Sequence, residues 1–175
     1  MHQLAAEVTD FDENLRALVS DMFETMDEAP GVGLAAPQIG VGLRVFVYSY
    51  PDDDDNPRRG VVINPTLTHS PLTESELDEE LSSEGCLSVP GERFALRRGE
   101  HVVLEGVDLE QKPVGIEADG WFARILQHEF DHLNGIIYVD RLPFQNRSGA
   151  FEIMQERGWN KPNVSWMPGV DNLED

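Results

Sequence analysis

WFARILQHEFDHLNG, residues 121–135, decides how the rest of this chain is read. The spacing of its apolar residues predicts a helix over Trp121–Leu133, ended by Asn134-Gly135. His128 and His132 lie one helical turn apart, so both imidazoles project from one face. That geometry suits two adjacent corners of a tetrahedral divalent-metal site. Glu129 stands roughly 100 degrees round the helix from His128, beside such a metal, where it can exchange a proton with water. His-Glu-x-x-His on a helix is a known pattern of zinc metalloproteases. The bland alternative is two exposed histidines on a charged helix. Ile125, Leu126, Phe130 and Leu133 argue instead for a largely buried helix, in which imidazoles need partners.

Two histidines make an incomplete cage. One protease pattern adds a third histidine six residues after the second, but Tyr138 occupies that position, so the pattern fails. Another adds a glutamate about twenty residues downstream, and Glu152 fits that spacing. The remaining candidate is Cys86, in EGCLSVPG (84–91), where a strand approaches a sharp turn. A lone cysteine is most often a small buried hydrophobe. With two histidines it would make a Cys-His-His set with the fourth position open, which separates a catalytic site from a closed structural one. Spacing leans toward Cys86 and leaves Glu152 open.

Outward from the motif, the pattern alternates between the two periodicities. Leu15, Leu18, Val19, Met22, Phe23 and Met26 recur at helical spacing between Asn14 and Glu28, with Asp12 as cap and Pro30-Gly31 as stop. GLRVFVYSY (42–50) and VVINPTLTH (61–69) read as strands, and HVVLEGVDL (101–109) with KPVGIEAD (112–119) as a hairpin. IIYVDRL (136–142) and a helical stretch around 150–157 complete the order. The expected class is α+β: mostly antiparallel strands packed around the central motif helix, with helices at either end. At 175 residues one domain spanning 1–175 is expected, with an acidic, flexible tail after about residue 160.

Composition narrows the function. A formal charge of −20 argues against nucleic-acid binding, since phosphate backbones attract the opposite sign. Much of it is clumped in Asp52–Asp55 and in TESELDEELSSE (73–84), which read as a solvated loop and an exposed edge. An acidic surface also suits a high-salt habitat. No apolar run approaches the roughly 18 residues of a membrane span, and the N-terminus lacks the pattern of an export signal. One cysteine excludes an intramolecular disulfide. A cytoplasmic location is expected.

GVGLAAPQIG (31–40) adds a third stretch. Alone, its glycines signal only a tight loop between helix and strand. In order with EGCLS and QHEFDH, it resembles the peptide deformylase family over residues 12–145, with the three signatures GxGLAAPQ, EGCLS and HExDH intact. The resemblance implies a hydrolase that removes the formyl group from the N-terminal formylmethionine of nascent bacterial polypeptides and releases formate. It implies Cys86, His128 and His132 as metal ligands, with Glu129 as general base and then acid. The Gln38 side-chain amide and the Leu87 N–H would stabilise the oxyanion, and the backbone near Gly33 would pair with the substrate. The family characteristically uses Fe2+, for which Zn2+, Ni2+ or Co2+ can substitute.

Further expectations follow. Glu84 and Arg93 match family positions and are expected to pair and brace the cysteine loop; Gln127 is expected to support the ligand helix. Trp121, Arg124 and Ile125, upstream of His128 on roughly one helical face, are expected to form the methionine pocket, with plain core as the other reading of Trp121. The Gly-Asp-Pro-x-Leu segment that usually opens family members is shortened or missing in MHQLAAEVTD, with consequences expected for stability or edge-strand cover. The C-terminus, GVDNLED, lacks the basic helix by which some members dock on the ribosome, although the substrate class still implies work near ribosomes. WFARILQHEFDHLNG and the stretch after Arg141 resemble actinobacterial members most. The competing functions are a zinc endopeptidase built on Glu152 and a catalytically silent module that binds N-terminal peptides.

Overall fold

The computed structural model of the chain describes residues 1–29, 31–52, 54–73, 77–161, 164–171 and 173. Pro30 of the predicted helix stop, Asp53, and residues 74–76 of the acidic segment lie outside these. So do 162, 163, 172, 174 and 175 of the expected tail.

The chain opens with α1 (Glu13–Glu28), whose cap is Asp12: its carboxylate accepts the Leu15 N–H at 3.0 Å. A three-residue strand β1 (Gly33–Ala35) follows and runs into a 3-10 turn, Ala36–Ile39. Next come β2 (Val45–Pro51), β3 (Pro57–His69), β4 (Ser83–Cys86) and β5 (Val89–Ala95). The hairpin of β6 (His101–Val107) and β7 (Pro113–Asp119) leads directly into α2 (Gly120–Leu133), and α3 (Phe144–Arg157) ends the ordered elements. The class is α+β, with a five-stranded antiparallel sheet in the order β1-β2-β3-β6-β7 and a separate β4–β5 hairpin.

Alternation along β2 explains why the sheet has a helix on each face. Phe46, Tyr48 and Tyr50 point to one side, where they join Phe122 and Leu126 of α2. Val45 and Val47 point to the other and pack with Leu15, Val19, Met22 and Met26 of α1. A third apolar cluster, with Val89, Leu96, Tyr138, Leu142 and Met154, seats the β4–β5 hairpin on α3.

Two segments differ from the sequence-based expectation, and a third fills in what it left open. The strand predicted from residue 42 begins at Val45, because Ala6 of the N-terminal segment donates to the Gly42 carbonyl and accepts the Arg44 N–H across a parallel bridge between Ala6 and Leu43. β3 is bulged between Ile63 and Thr66, where Asn64 adopts φ 51° and its amide grips both the N–H and the C=O of Val8. IIYVDRL, to which the sequence pattern assigns no conformation, contains a 3-10 turn, Tyr138–Arg141. The tail beyond residue 160 is anchored at Trp166, whose Nε1–H donates to the Leu87 carbonyl at 2.8 Å.

Candidate active site

α2 brings the histidines to the hairpin. His128 and His132 stack edge-on with ring centroids 4.8 Å apart, and Cys86 at the end of β4 places its sulfur 3.4 Å from His132 Nε2. The ligand-capable atoms of Cys86, His128 and His132 all lie within 4.8 Å of one another. Among the described residues this is the one such grouping of His, Cys, Asp and Glu side chains. Glu152 stands exposed on α3 and takes no part in it, so the alternative that spacing left open is not built.

The donor set fits a divalent cation. One sulfur and two imidazole nitrogens converge in a buried place, with His132 fully buried. His132 Nδ1 and Glu129 Oε2 are buried with no hydrogen-bond partner among the described residues. Burial, reinforced by the neighbouring His128, holds the His132 imidazole well below the ordinary histidine value, so it presents a lone pair rather than a charge. For His128 burial works in the same direction, but the adjacent Cys86 sulfur and Glu84 outweigh it and raise the value. Burial also pushes the Glu129 carboxyl up to about 7.

Glu84 is the hub that orients this site. Only 3% exposed, it takes Arg98 Nε and Nη2 at 3.0 and 2.9 Å, Arg124 Nη1 at 2.8 Å and His128 Nδ1 at 2.9 Å. With Nδ1 spent on Glu84, His128 has only Nε2 left for the site. Arg98 also reaches Asp131, which Arg141 grips from the other side. The expected Glu84–Arg93 pair is therefore corrected. The β4–β5 register sets Glu84 opposite Phe94 and Gly85 opposite Arg93, and Arg93 donates to the Ser83 carbonyl at 3.2 Å instead. Arg98, three residues past β5, takes the role expected of Arg93. Arg98, Asp131 and Arg141 went unread because nothing in the sequence distinguishes Arg98 from Arg93 or Arg97. Asp131 could have been found as the residue one turn past His128.

Gln38 is held so that its donor faces inward. Its Oε1 accepts the Ala35 N–H at 2.8 Å, which turns Nε2 toward Ser88 Oγ at 3.3 Å and Cys86 Sγ at 3.8 Å. Gln127 is not in the cavity wall; its amide clamps both backbone groups of Gly99 at 2.9 Å, tying the segment that carries Arg98 to α2. Gly33 abuts Glu129, where a Cβ would lie 2.8 Å from the carboxyl carbon and closer still to Oε1.

Gly33, Gln38, Glu84, Cys86, His128 and Glu129 open onto a cavity of about 500 Å³. Cys86, His128, Glu129, Gln38 and Leu87 form its floor. Trp121, Arg124 and Ile125 form one wall, as their helical spacing predicts, and Trp121 also packs on the α2 core cluster. The Arg124 guanidinium is engaged by Glu84 and the Leu96 carbonyl, so its aliphatic stem is what it offers the cavity. Opposite runs the chain from Gly31 to Gly33; β1 is an edge strand that pairs with β2 on one side, and among the described residues no strand pairs with its other side.

The family model for polypeptide deformylase matches residues 1–148. A peptide deformylase of Mycolicibacterium paratuberculosis is 49% identical over 158 residues, covering 89% of this chain and 80% of that protein. Among solved structures, the peptide deformylase of Ehrlichia chaffeensis aligns with a TM-score of 0.76 at 35% identity, over 90% of each chain. That of Thermus thermophilus aligns with a TM-score of 0.73 at 40% identity, over 89% of this chain and 87% of the other.

Proposed function

The chain belongs to the polypeptide deformylase family and removes the formyl group from the N-terminal formylmethionine of nascent polypeptides; from that premise we propose how its residues divide the work. Cys86, His128 and His132 hold the divalent metal on which the reaction depends, and the convergence of their donor atoms within 4.8 Å is the observation that carries the assignment. When bound, the cation supplies Lewis acidity toward water and the formyl oxygen. We assign Fe2+ as the resident ion, with Zn2+, Ni2+ or Co2+ able to replace it. The mixed thiolate and imidazole donor set supports a borderline ion of this kind.

Glu129 takes a proton from the attacking water and returns it to the departing amine nitrogen as the carbon–nitrogen bond breaks and formate forms. Its burial beside Gly33 supports that role, because the carboxyl is held close to the reacting groups and away from bulk solvent. Gln38 Nε2 and the Leu87 N–H receive the charge that develops on the formyl oxygen. Each such donor is typically worth about 3 kcal/mol at the transition state. A neutral amide suits the post, and the Ala35 N–H fixes which end of it faces the site. The free edge at Gly33 binds the peptide backbone, while Trp121, Ile125 and the Arg124 stem enclose the methionine side chain. Glu84, Arg98 and Gln127 brace the ligands from behind.

The expected setting is the cytoplasm, close to ribosomes, since the substrate emerges there. Among the described residues no helix is long and apolar enough to cross a membrane. The assignment is tested by metal content after anaerobic loading with Fe2+. Cys86→Ala should lose the ion and Glu152→Ala should keep it at the wild-type ratio; the opposite pattern would overturn the ligand set.

A further inference from the structure

The peptide plane between Leu87 and Ser88 is held from both of its ends. On one side the Ser88 N–H donates to the Cys86 sulfur at 3.4 Å. On the other the Leu87 carbonyl accepts the indole N–H of Trp166 at 2.8 Å. Carbonyl and N–H belong to one rigid amide, so they turn together. A rotation of that plane about its flanking bonds would carry the Ser88 N–H off the sulfur unless the carbonyl were pinned.

Trp166 comes from the C-terminal segment, nearly eighty residues away in sequence. That segment is braced on its own account. The Met167 N–H donates to the Asp171 carboxylate, and the Asp171 and Val170 N–H groups return to the Met167 carbonyl. It lies close against both sides of the cleft. A Cβ at Gly169 would meet Glu28 at the end of α1, and one at Gly91 in the hairpin would lie 3.5 Å from the Leu173 carbonyl. A second cavity, of about 520 Å³, lies beneath it and shares Gln38 and Leu87 with the first. The indole therefore reaches the catalytic loop from behind.

We propose that Trp166 is a positioning residue for the metal centre: through the Leu87–Ser88 peptide it keeps the Ser88 N–H on the Cys86 sulfur. This inference rests on the reading of Cys86 as a metal ligand. An N–H directed at a coordinating sulfur draws electron density from it, so the sulfur donates less to the ion and the ion remains a stronger Lewis acid. The same clamp steadies Leu87, whose own N–H faces the developing oxyanion.

The test uses the full chain loaded with Co2+, read by its thiolate-to-cobalt charge-transfer absorption and by formyl-Met-Ala-Ser turnover. Trp166→Phe removes the N–H together with one ring of the indole, and Trp166→His is the variant that separates the two losses. Trp166→Phe should move the band to lower energy and lower kcat by about five-fold at unchanged KM, the size of effect expected from one lost hydrogen bond. Trp166→His, which keeps a ring N–H, should lie nearer wild type in both readouts. A band unmoved in Trp166→Phe would overturn the proposal. So would equal shifts in the two variants, which would mark the indole as packing alone. Should Trp166→Phe not fold, Trp166→His decides: a wild-type band supports the clamp and a shifted one refutes it. Failure of the underlying reading would look different, because wild type itself would then show no thiolate-to-cobalt band.

Discussion

Gly33 and Glu129 compete for the same space, and the glycine yields it. Gly33→Ala would force the carboxylate aside, since the added Cβ would stand only 2.8 Å from the carboxyl carbon. Misplacing a catalytic group by about an ångström can cost on the order of a hundred-fold in rate. We expect a loss of that size in kcat with metal content unchanged, and a variant with wild-type kcat would show that Glu129 has room to spare. Glu129→Gln should likewise retain metal while kcat falls by on the order of a thousand-fold, because the proton acceptor is gone and the cation's contribution remains. In the cavity wall, exchanging Ile125 for Phe should raise KM for formyl-Met-Ala-Ser; unchanged kinetics would remove Ile125 from the methionine pocket. His128 and Glu129 stood out in the sequence because their spacing on one helix marks them, whereas Cys86 and Gln38 were named by the family resemblance. Arg98 was marked by neither, since only the strand register tells it apart from Arg93.

At the scale of elements, Glu84 joins β4 to α2 and to the segment after β5. Burial opposes its charge, but Arg98 and His128 outweigh burial and hold the carboxyl well below its ordinary value of 4.5. A depressed value contributes stability that is complete above the unfolded pKa and is lost as pH falls below it. Glu84→Gln should therefore lower Tm at neutral pH and flatten its decline below about pH 4.5. Parallel melting curves for the two proteins would contradict this. The elements legible beforehand were those with enough length to show a period: α1, α2, β2 and the β6–β7 hairpin. β1 has three residues, too few for alternation to register. The β4–β5 hairpin carries SEGC against VPGERFA, where Gly85, Pro90 and Gly91 hide any pattern, and its existence depends on the third apolar cluster beneath it. Residues 136–142 carry an apolar run with no period to name an element, and it packs against α3 as a 3-10 turn.

Over the whole molecule, a formal charge of −20 on 175 residues means that the folded state works against its own repulsion. Raising NaCl from about 0.1 M to about 1 M should increase Tm, since the screening length shortens from roughly 10 Å to 3 Å. A Tm that falls with salt would mean that ion pairs such as Arg59–Asp27 outweigh the repulsion. Around the cavity floor the acids Glu84, Glu129 and Asp131 are buried and either paired with arginines or set beside the histidines. Family and reaction were readable because three signatures stand in order along the chain. The Trp166 contact was not, because it joins a tail without periodicity to a loop seventy-nine positions away. The most direct test of the account is formate release from formyl-Met-Ala-Ser by anaerobically prepared, Fe2+-loaded protein. The account predicts turnover by wild type and near-complete loss in metal-loaded Glu129→Gln. No formate from wild type with the ion confirmed bound, or equal rates from the two proteins, would contradict it.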